Sequence, residues 1–531
     1  MPDAKPSELT ALQARVQRLE EELGKTRDLL SLANAEIKRK DLIIEGLRHR
    51  IFGSSSEKLD PSQLQLMFDE LVLGKPAPSP DQSHGQTSAP EGEKSNAPKT
   101  RRTKADRFPK NLKIIVEGVL IPEEVEANPN DYDEIGEEHH DELGVIRPQM
   151  IWRRTIRKKF VHKNDRSRPP VIAPAPLASI PGTLISPELA AQISTDRFED
   201  HLPYYRQSRR FRRLYGVDVG RQTLNTWIHA TARHLSPLGA AIRGEVRQAI
   251  ELMIDETPHS YLCPGHGKTK RGYLWAYYDP VGRNSYFEWH AGRGHECLLD
   301  FLGYDPETKT ISFEGTILCD GYGAYRAIAA LFGTIRLAGC LAHIRRKFVE
   351  AMSEKPELIL PILLAIQQIY FIEKQMREGK VPPVCRELVR RTRSRAIAEH
   401  LHELIISART VTLPRGKFGE ALTYAINQWD KFLVCLEQGT LDVDTNLVEN
   451  MIRPTKLGAK NSMFFGSLEA GTHNALFYTL MANCKNHGLD PETYLTEVIK
   501  RLPHNATAEQ AAELTPARFA AALRTEAQEV A

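Results

Sequence analysis

From Leu9 to Ile51 apolar residues recur with a seven-residue repeat. Its inner positions are Leu9, Leu12, Val16, Leu19, Leu23, Thr26, Leu30, Ala33, Ile37, Lys40, Ile44, Leu47 and Ile51, eleven of the thirteen being apolar. Charged residues flank them, and the pattern predicts a coiled coil about 60 Å long through which the chain self-associates. A single amphipathic helix folded onto its own domain is the alternative. Gly53 ends the pattern, which defines a segment 1–60. SQLQLMFDEL predicts a short helix, and residues 75–110, rich in Pro, Ser, Gly, Gln and Lys, predict a disordered linker, so that 61–110 reads as helix plus linker. Over 111–175 the pattern turns to alternation in LKIIVEGVLI and PQMIWRRTIRKKFV, predicting a small β-rich module whose last strand has one basic face.

A helical period returns over 176–245, and its centre has the form of a helix-turn-helix. The first helix ends at Leu214, Gly216 makes the turn and a second helix begins near Arg221, with Leu224, Trp227 and Ile228 as its buried side. Next, ELMIDETPHSYL, GYLWAYYDP and NSYFEWHA read as three strands of a meander. GTILCDGYGAY and TIRLAGCLAHIRRKFVEAM each read as strand then helix, and residues 355–440 are a helical interruption. DVDTNLVENMIRPTKLGAKNSMFFG (442–466) then opens a helix at Asp444 or Thr445 that runs through Lys456, with Leu447, Val448, Met451 and Ile452 on its buried side. The whole is multidomain α+β, with one α/β domain over 246–485 and a helical tail over 486–531.

The net charge of +3 says little about partners, but its distribution says more. Residues 123–142 hold ten acids and no Lys or Arg, whereas 153–168 hold eight Lys or Arg and one acid. Seven cysteines without a CxxC pair point to a reducing cytosol. The polar start MPDAKPSELT has no signal core, and the most apolar run, 358–372, is broken by Pro361 and too short to span a membrane. The expectation is a cytoplasmic, nucleoid-associated protein.

The chemistry concentrates on three carboxylates. Asp255 lies in the first meander strand, Asp320 ends a later strand that can run parallel to it, and Glu449 sits on the helix at 446–456. That order of elements is the layout of a ribonuclease-H-like fold. Three carboxylates brought together repel one another unless a cation joins them. Mg²⁺ or Mn²⁺, both hard ions, suit oxygen ligands, and two such ions about 4 Å apart serve in-line phosphoryl displacement. Glu449, Arg453 and Lys456 share a helix face, and the plain alternative is a helical salt bridge worth about 0.2–0.5 kcal/mol. In the helix-turn-helix, Arg221, Gln222, Thr223 and Asn225 stand where base-reading side chains belong, and Arg206, Arg209, Arg210, Arg212 and Arg213 would meet phosphates. The alternative there is a plain packing unit.

FGSSSEKLD, HLPYYRQSRRFRRLYGVDVGRQTLNTW, IDETP, PGHGKTKRGYLWAYYDP, CDGYGAY, CLAHIRRKF and DVDTNLVENMIRPTKLGAKNSMFFGS occur in this order, and with them the chain resembles the DDE transposases of the insertion-sequence-66 family over nearly its whole length. The resemblance implies DNA strand transfer, with Asp255, Asp320 and Glu449 as catalytic, metal-binding acids. It places Lys456 against the DNA terminus, with Arg453 and Lys460 beside it on the same helix. It also implies double-stranded DNA as partner, a multimer, and small accessory proteins of the same element. One departure stands out: the family's zinc module with two CxxC pairs corresponds to roughly 118–172, which holds no cysteine, the second pair falling on His162 and Asp165. Zinc is not expected there. Cys340 and His343 in CLAH have metal-ligand spacing but no second pair, which favours packing. The competing readings are a non-catalytic helix-turn-helix protein or decayed transposase, and a nuclease that hydrolyses without joining.

Overall fold

The computed structural model describes residues 120–127, 129–131, 148–161, 163, 169–263, 265 and 267–530. The Leu9–Ile51 seam, the linker, His162 and Asp165 lie outside the described residues. The chain divides into two units, one over Lys75–Pro148 and one that takes in everything from Gln149 onward. In the first, the described part is a short helix, α1 (Glu123–Ala127), and a 3₁₀ turn at Pro129–Asp131. Within the second, the described part of the expected β-rich module contains a two-residue antiparallel pair, β1 (Lys159–Phe160) with β2 (Val171–Ile172), and its first expected strand lies almost wholly outside the described residues. Residues 148–158 have no regular secondary structure, and Ile151, Trp152 and Ile156 are exposed, because among the described residues no strand pairs with this segment.

The helical segment comprises α2 (Pro187–Phe198), α3 (Tyr204–Tyr215) and α4 (Arg221–Arg247). Ser186 caps α2 by accepting the Leu189 N–H, and Gly216 closes α3 at φ 69°, a left-handed conformation that glycine adopts without a Cβ penalty. The start of α4 is exposed. From Leu224 onward it buries Ile228, Leu235, Leu238, Ile242 and Val246, so it is both an exposed helix start and a core helix.

A five-stranded sheet follows: β3 (Glu251–Leu262), β4 (Thr269–Tyr278) and β5 (Ser285–His290). Helix α5 (Glu296–Phe301) and the small pair β6 (Tyr304–Asp305) and β7 (Thr310–Ile311) come next. The chain re-enters the sheet as β8 (Gly315–Cys319), α6 (Gly323–Leu331), β9 (Ile335–Gly339) and α7 (Leu341–Glu350). Strand order is β5-β4-β3-β8-β9, antiparallel among the meander strands and parallel from β3 through β9. Leu252, Met253 and Ile254 are consecutive and all buried, as a central strand covered on both faces requires.

The helical interruption is α8 (Pro356–Glu378), α9 (Pro383–Val389), a π-helical turn at Arg390–Ser394, α10 (Arg395–Thr410) and α11 (Lys417–Glu437). Among the described residues α8 alone is long and apolar enough to cross a membrane by length and composition, and 56% of its apolar window is buried inside the protein. Arg390 is fully buried; it meets both carboxylate oxygens of Glu373, at 2.8 and 2.7 Å, and donates to the carbonyls of Cys435, Gln438 and Leu441. The insertion is thereby pinned to the loop that leads into α12 (Asn446–Ser462). The remaining helices are α13 (Leu468–His487), α14 (Pro491–Arg501), α15 (Ala508–Ala512) and α16 (Pro516–Val530). The C-terminal segment is no loose tail: α14 packs against α2, and α15 against α4.

Candidate active site

The three acids reach one end of the sheet by separate routes. Met253 with Leu318 is the last pair of the parallel β3–β8 register; Asp255 lies two residues further along β3, Asp320 just past the end of β8, and the Asp320 charge reaches Asp255. Neighbouring strands lie about 4.8 Å apart. Asp320 leaves β8 into a turn in which its Oδ1 accepts the Tyr322 N–H at 2.8 Å, just ahead of α6. Gly321 in this turn is pressed against α11: a Cβ there would lie 2.8 Å from Tyr424 Cε2.

Helix α12 carries Glu449 and is braced at both ends. At its start, Leu341 N–H donates to Val443 O, the buried Cys340 Sγ takes the Thr445 N–H at 3.3 Å, and Asp444 accepts from Asn446. Thr440 and Gln438, just upstream, bond to Glu251 and Thr316 at the starts of β3 and β8. At its far end, Phe465 exchanges backbone hydrogen bonds with Ser260 and Leu262 of β3. Val448, Ile452, Thr455 and Gly458 face inward, whereas Leu447 is 40% exposed. This corrects the expected buried side. The helix is rotated because Gly458 lets it close on Tyr478, whose hydroxyl would lie 2.4 Å from a Cβ there.

Glu449 does not pair with Arg453, which is exposed. Its carboxylate instead meets Arg346 Nη2 at 3.4 Å, His343 Nε2 at 3.9 Å and the Thr445 hydroxyl at 3.3 Å. His343 is thus more than packing. Its pKa is lowered, by burial first and then by Arg346, against the opposing charges of Glu449 and Asp320. Cys340, its partner in the CLAH spacing, is a packing and capping residue. Lys456 Nζ bonds the Pro258 carbonyl at 3.0 Å, close enough to Asp255 for that carboxylate to oppose the burial that lowers its pKa.

Among the described residues neither Asp255 nor Asp320 forms an ion pair. Burial, then the charges of Glu256, Glu449 and Asp320, push Asp255 up to about 8 against the single Glu256 N–H it accepts. An oxygen-only donor set that lacks a protein cation at two of its members fits a hard divalent ion.

Sequence reasoning missed Glu256. It points from the opposite face of β3, its side chain 2% exposed, and is held by Arg293 Nε at 2.7 Å and the Tyr325 hydroxyl at 2.9 Å. Arg293 in turn stacks on Tyr322, its guanidinium carbon 3.8 Å from the ring centre, and accepts that tyrosine's hydroxyl on its carbonyl. The acidic pair in IDETP and the tyrosines of CDGYGAY were visible signals, but only the fold joins them to an arginine 37 residues away.

On the helical segment, Arg221, Gln222, Thr223 and Asn225 are exposed at the start of α4, and Arg206, Arg209, Arg212 and Arg213 are exposed on α3. Arg210 is different: it is half-buried and paired with Asp196 on α2, so its guanidinium is committed to packing. The segment is tied to α12 by Arg197 to Ser462 and by Asn461 to the His201 carbonyl.

A family profile described as "Transposase IS66 family" matches residues 182–473, and one described as "IS66 C-terminal element" matches 479–517. A third, "Transposase C of IS166 homeodomain", matches 41–116, which lies outside the described residues and spans the whole of the stretch 61–110 read above as helix and linker. The chain is similar to three uncharacterized proteins of Sinorhizobium fredii (strain NBRC 101917 / NGR234). It shares 30% identity with y4qI over 97% of this chain and 95% of that one, and 28% with y4jD over 93% and 96%. With y4hP it shares 26% over 87% and 85%.

Proposed function

Because the chain belongs to the IS66 family of transposases, we propose that it cuts and joins DNA at the ends of its element with Asp255, Asp320 and Glu449 as the catalytic acids. The observation that supports the reading is the parallel β3–β8 pairing, which carries Asp255 and Asp320 to the same end of the sheet, with the Glu449 helix tied to the end of β9 at its start and to β3 beyond its far end. A sheet ordered β5-β4-β3-β8-β9, with three antiparallel strands then two parallel ones, supports a ribonuclease-H-like catalytic domain. The three carboxylates would hold Mg²⁺ or Mn²⁺, which supplies Lewis-acid activation of the attacking oxygen and charge neutralisation at the leaving oxygen.

The chain's own residues do the rest. Arg346 and the Thr445 hydroxyl orient Glu449, and the Asx turn at Asp320 orients its carboxylate. Arg293 and the Tyr325 hydroxyl hold Glu256 in place on the far face of β3, and its charge still heads those that oppose ionisation of Asp255. Lys456, with the exposed Arg453 and Lys460, offers cations to the DNA strand beside the acids, while α3 and the start of α4 supply phosphate and base contacts. The domains follow the divisions 1–60, 61–110, 111–175, 176–245, 246–485 and 486–531, and the Leu9–Ile51 seam brings two ends together by self-association. Accessory proteins of the same element are further partners. The test is Mg²⁺-dependent nicking and joining of DNA carrying the element's ends, with Glu449→Gln compared at equal folded protein. Loss of both products supports the assignment, and a Glu449→Gln enzyme that cuts at the normal rate sinks it.

A further inference from the structure

The tightest group of metal-ligating side chains among the described residues lies away from these acids. His229 on α4 faces His473 on α13 with the two Nδ1 atoms 2.5 Å apart, and Glu469, one turn before His473, completes a set of three donors within 4.8 Å of one another. We propose that His229, His473 and Glu469 form a zinc site that staples α4 to α13. A zinc ion with bonds of about 2.0–2.1 Å and tetrahedral angles holds its donors roughly 3.3 Å apart, within reach of this arrangement. Two imidazoles and one carboxylate favour Zn²⁺ over Mg²⁺. Glu469 Oε1 lies 3.8 Å from His473 Nε2, so the carboxylate already stands beside the histidine pair. Arg233, 3.8 Å from Glu469, is the other charged group facing the set and competes for that carboxylate. Helix α13 is fixed against β5 where Gly471 meets Trp289, so His473 is presented from a rigid element. Nothing in this inference depends on the transposition reading.

The experiment uses the full chain, stripped of metal and titrated with Zn²⁺ against a chromophoric chelator, and with Co²⁺ for its visible absorption. The expected result is about one tightly bound zinc per chain and a tetrahedral Co²⁺ spectrum. His473→Gln and His229→Gln should each weaken binding by more than about 100-fold and abolish the spectrum, and Glu469→Gln, at an exposed position that does not threaten folding, by about 10-fold or more. Asp255→Asn should leave binding unchanged. Zinc that survives His473→Gln and Glu469→Gln, zinc that is lost in Asp255→Asn, or no tight zinc at all would overturn the proposal.

Discussion

Two buried carboxylates show what this fold does with charge. Glu373, in the helical insertion, has a fully buried arginine on both oxygens, and that arginine spends its remaining donors on three carbonyls. Asp255, on the central strand, has one backbone N–H and three acidic neighbours. The first is a satisfied network that ties an insertion to the Glu449 loop. The second is ionised only at a cost, first because it is buried and then because the sheet and α12 bring like charges towards it. On the proposed reading a divalent ion would relieve that repulsion, so the contrast can be tested by removing each charge.

The sharpest way to break this contrast is to remove each charge. Asp255→Asn and Asp320→Asn should drop Mg²⁺-dependent cleavage to background, yet the metal-free Asp255→Asn protein should melt no lower than the parent, since repulsion goes with the charge. A melting temperature that falls by several degrees would place Asp255 among the structural acids. Arg390→Ala should do the opposite, costing about 3–5 kcal/mol of stability by leaving Glu373 buried without a partner. Urea denaturation measures it, and a loss below about 1 kcal/mol would mean that solvent reaches Glu373.

A pH series sharpens the same point. Asp255 has a folded pKa raised from 3.8 to about 8, so the folded state binds its proton more tightly than the unfolded chain does. Its contribution to stability is therefore full below the ordinary carboxylate pKa and declines as pH rises, levelling off above about 8. Thermal melts of metal-free protein should show that decline, and Asp255→Asn should flatten it. A smaller effect is expected on the DNA side, where Asn225→Ala should cost about 1–3 kcal/mol of discrimination between element-end and random DNA if it reads a base. Competition binding measures the ratio. Smallest is Lys456→Ala, which should reduce the salt dependence of DNA binding by roughly one phosphate contact, and an unchanged slope removes it from the interface.

Sequence and structure agree where periodicity is strong. The meander, the two strand–helix repeats and the helix at 446–462 were legible because alternation and the helical period each answer to one buried face. Where burial depends on a remote partner, local pattern failed. Arg210 reads like its neighbours until Asp196 is placed beside it, Leu447 reads as core until Gly458 turns the helix, and Glu256 reads as an incidental acid next to Asp255. The run at 148–158 carries a strand's alternation, but among the described residues no strand pairs with it.

By itself the sequence determined much of the order of elements and the kinship with IS66 transposases, and it nominated three acids for a common chemistry. Only the tertiary structure decided that Asp320 comes near enough to Asp255 to act on its charge, that Glu449 answers to Arg346 rather than Arg453, and that Arg293 holds Glu256. The reason is physical: propensity and periodicity act over a few residues, whereas a carboxylate's partners and pKa are set by whatever strand register and helix packing bring within a few ångströms from anywhere along the chain.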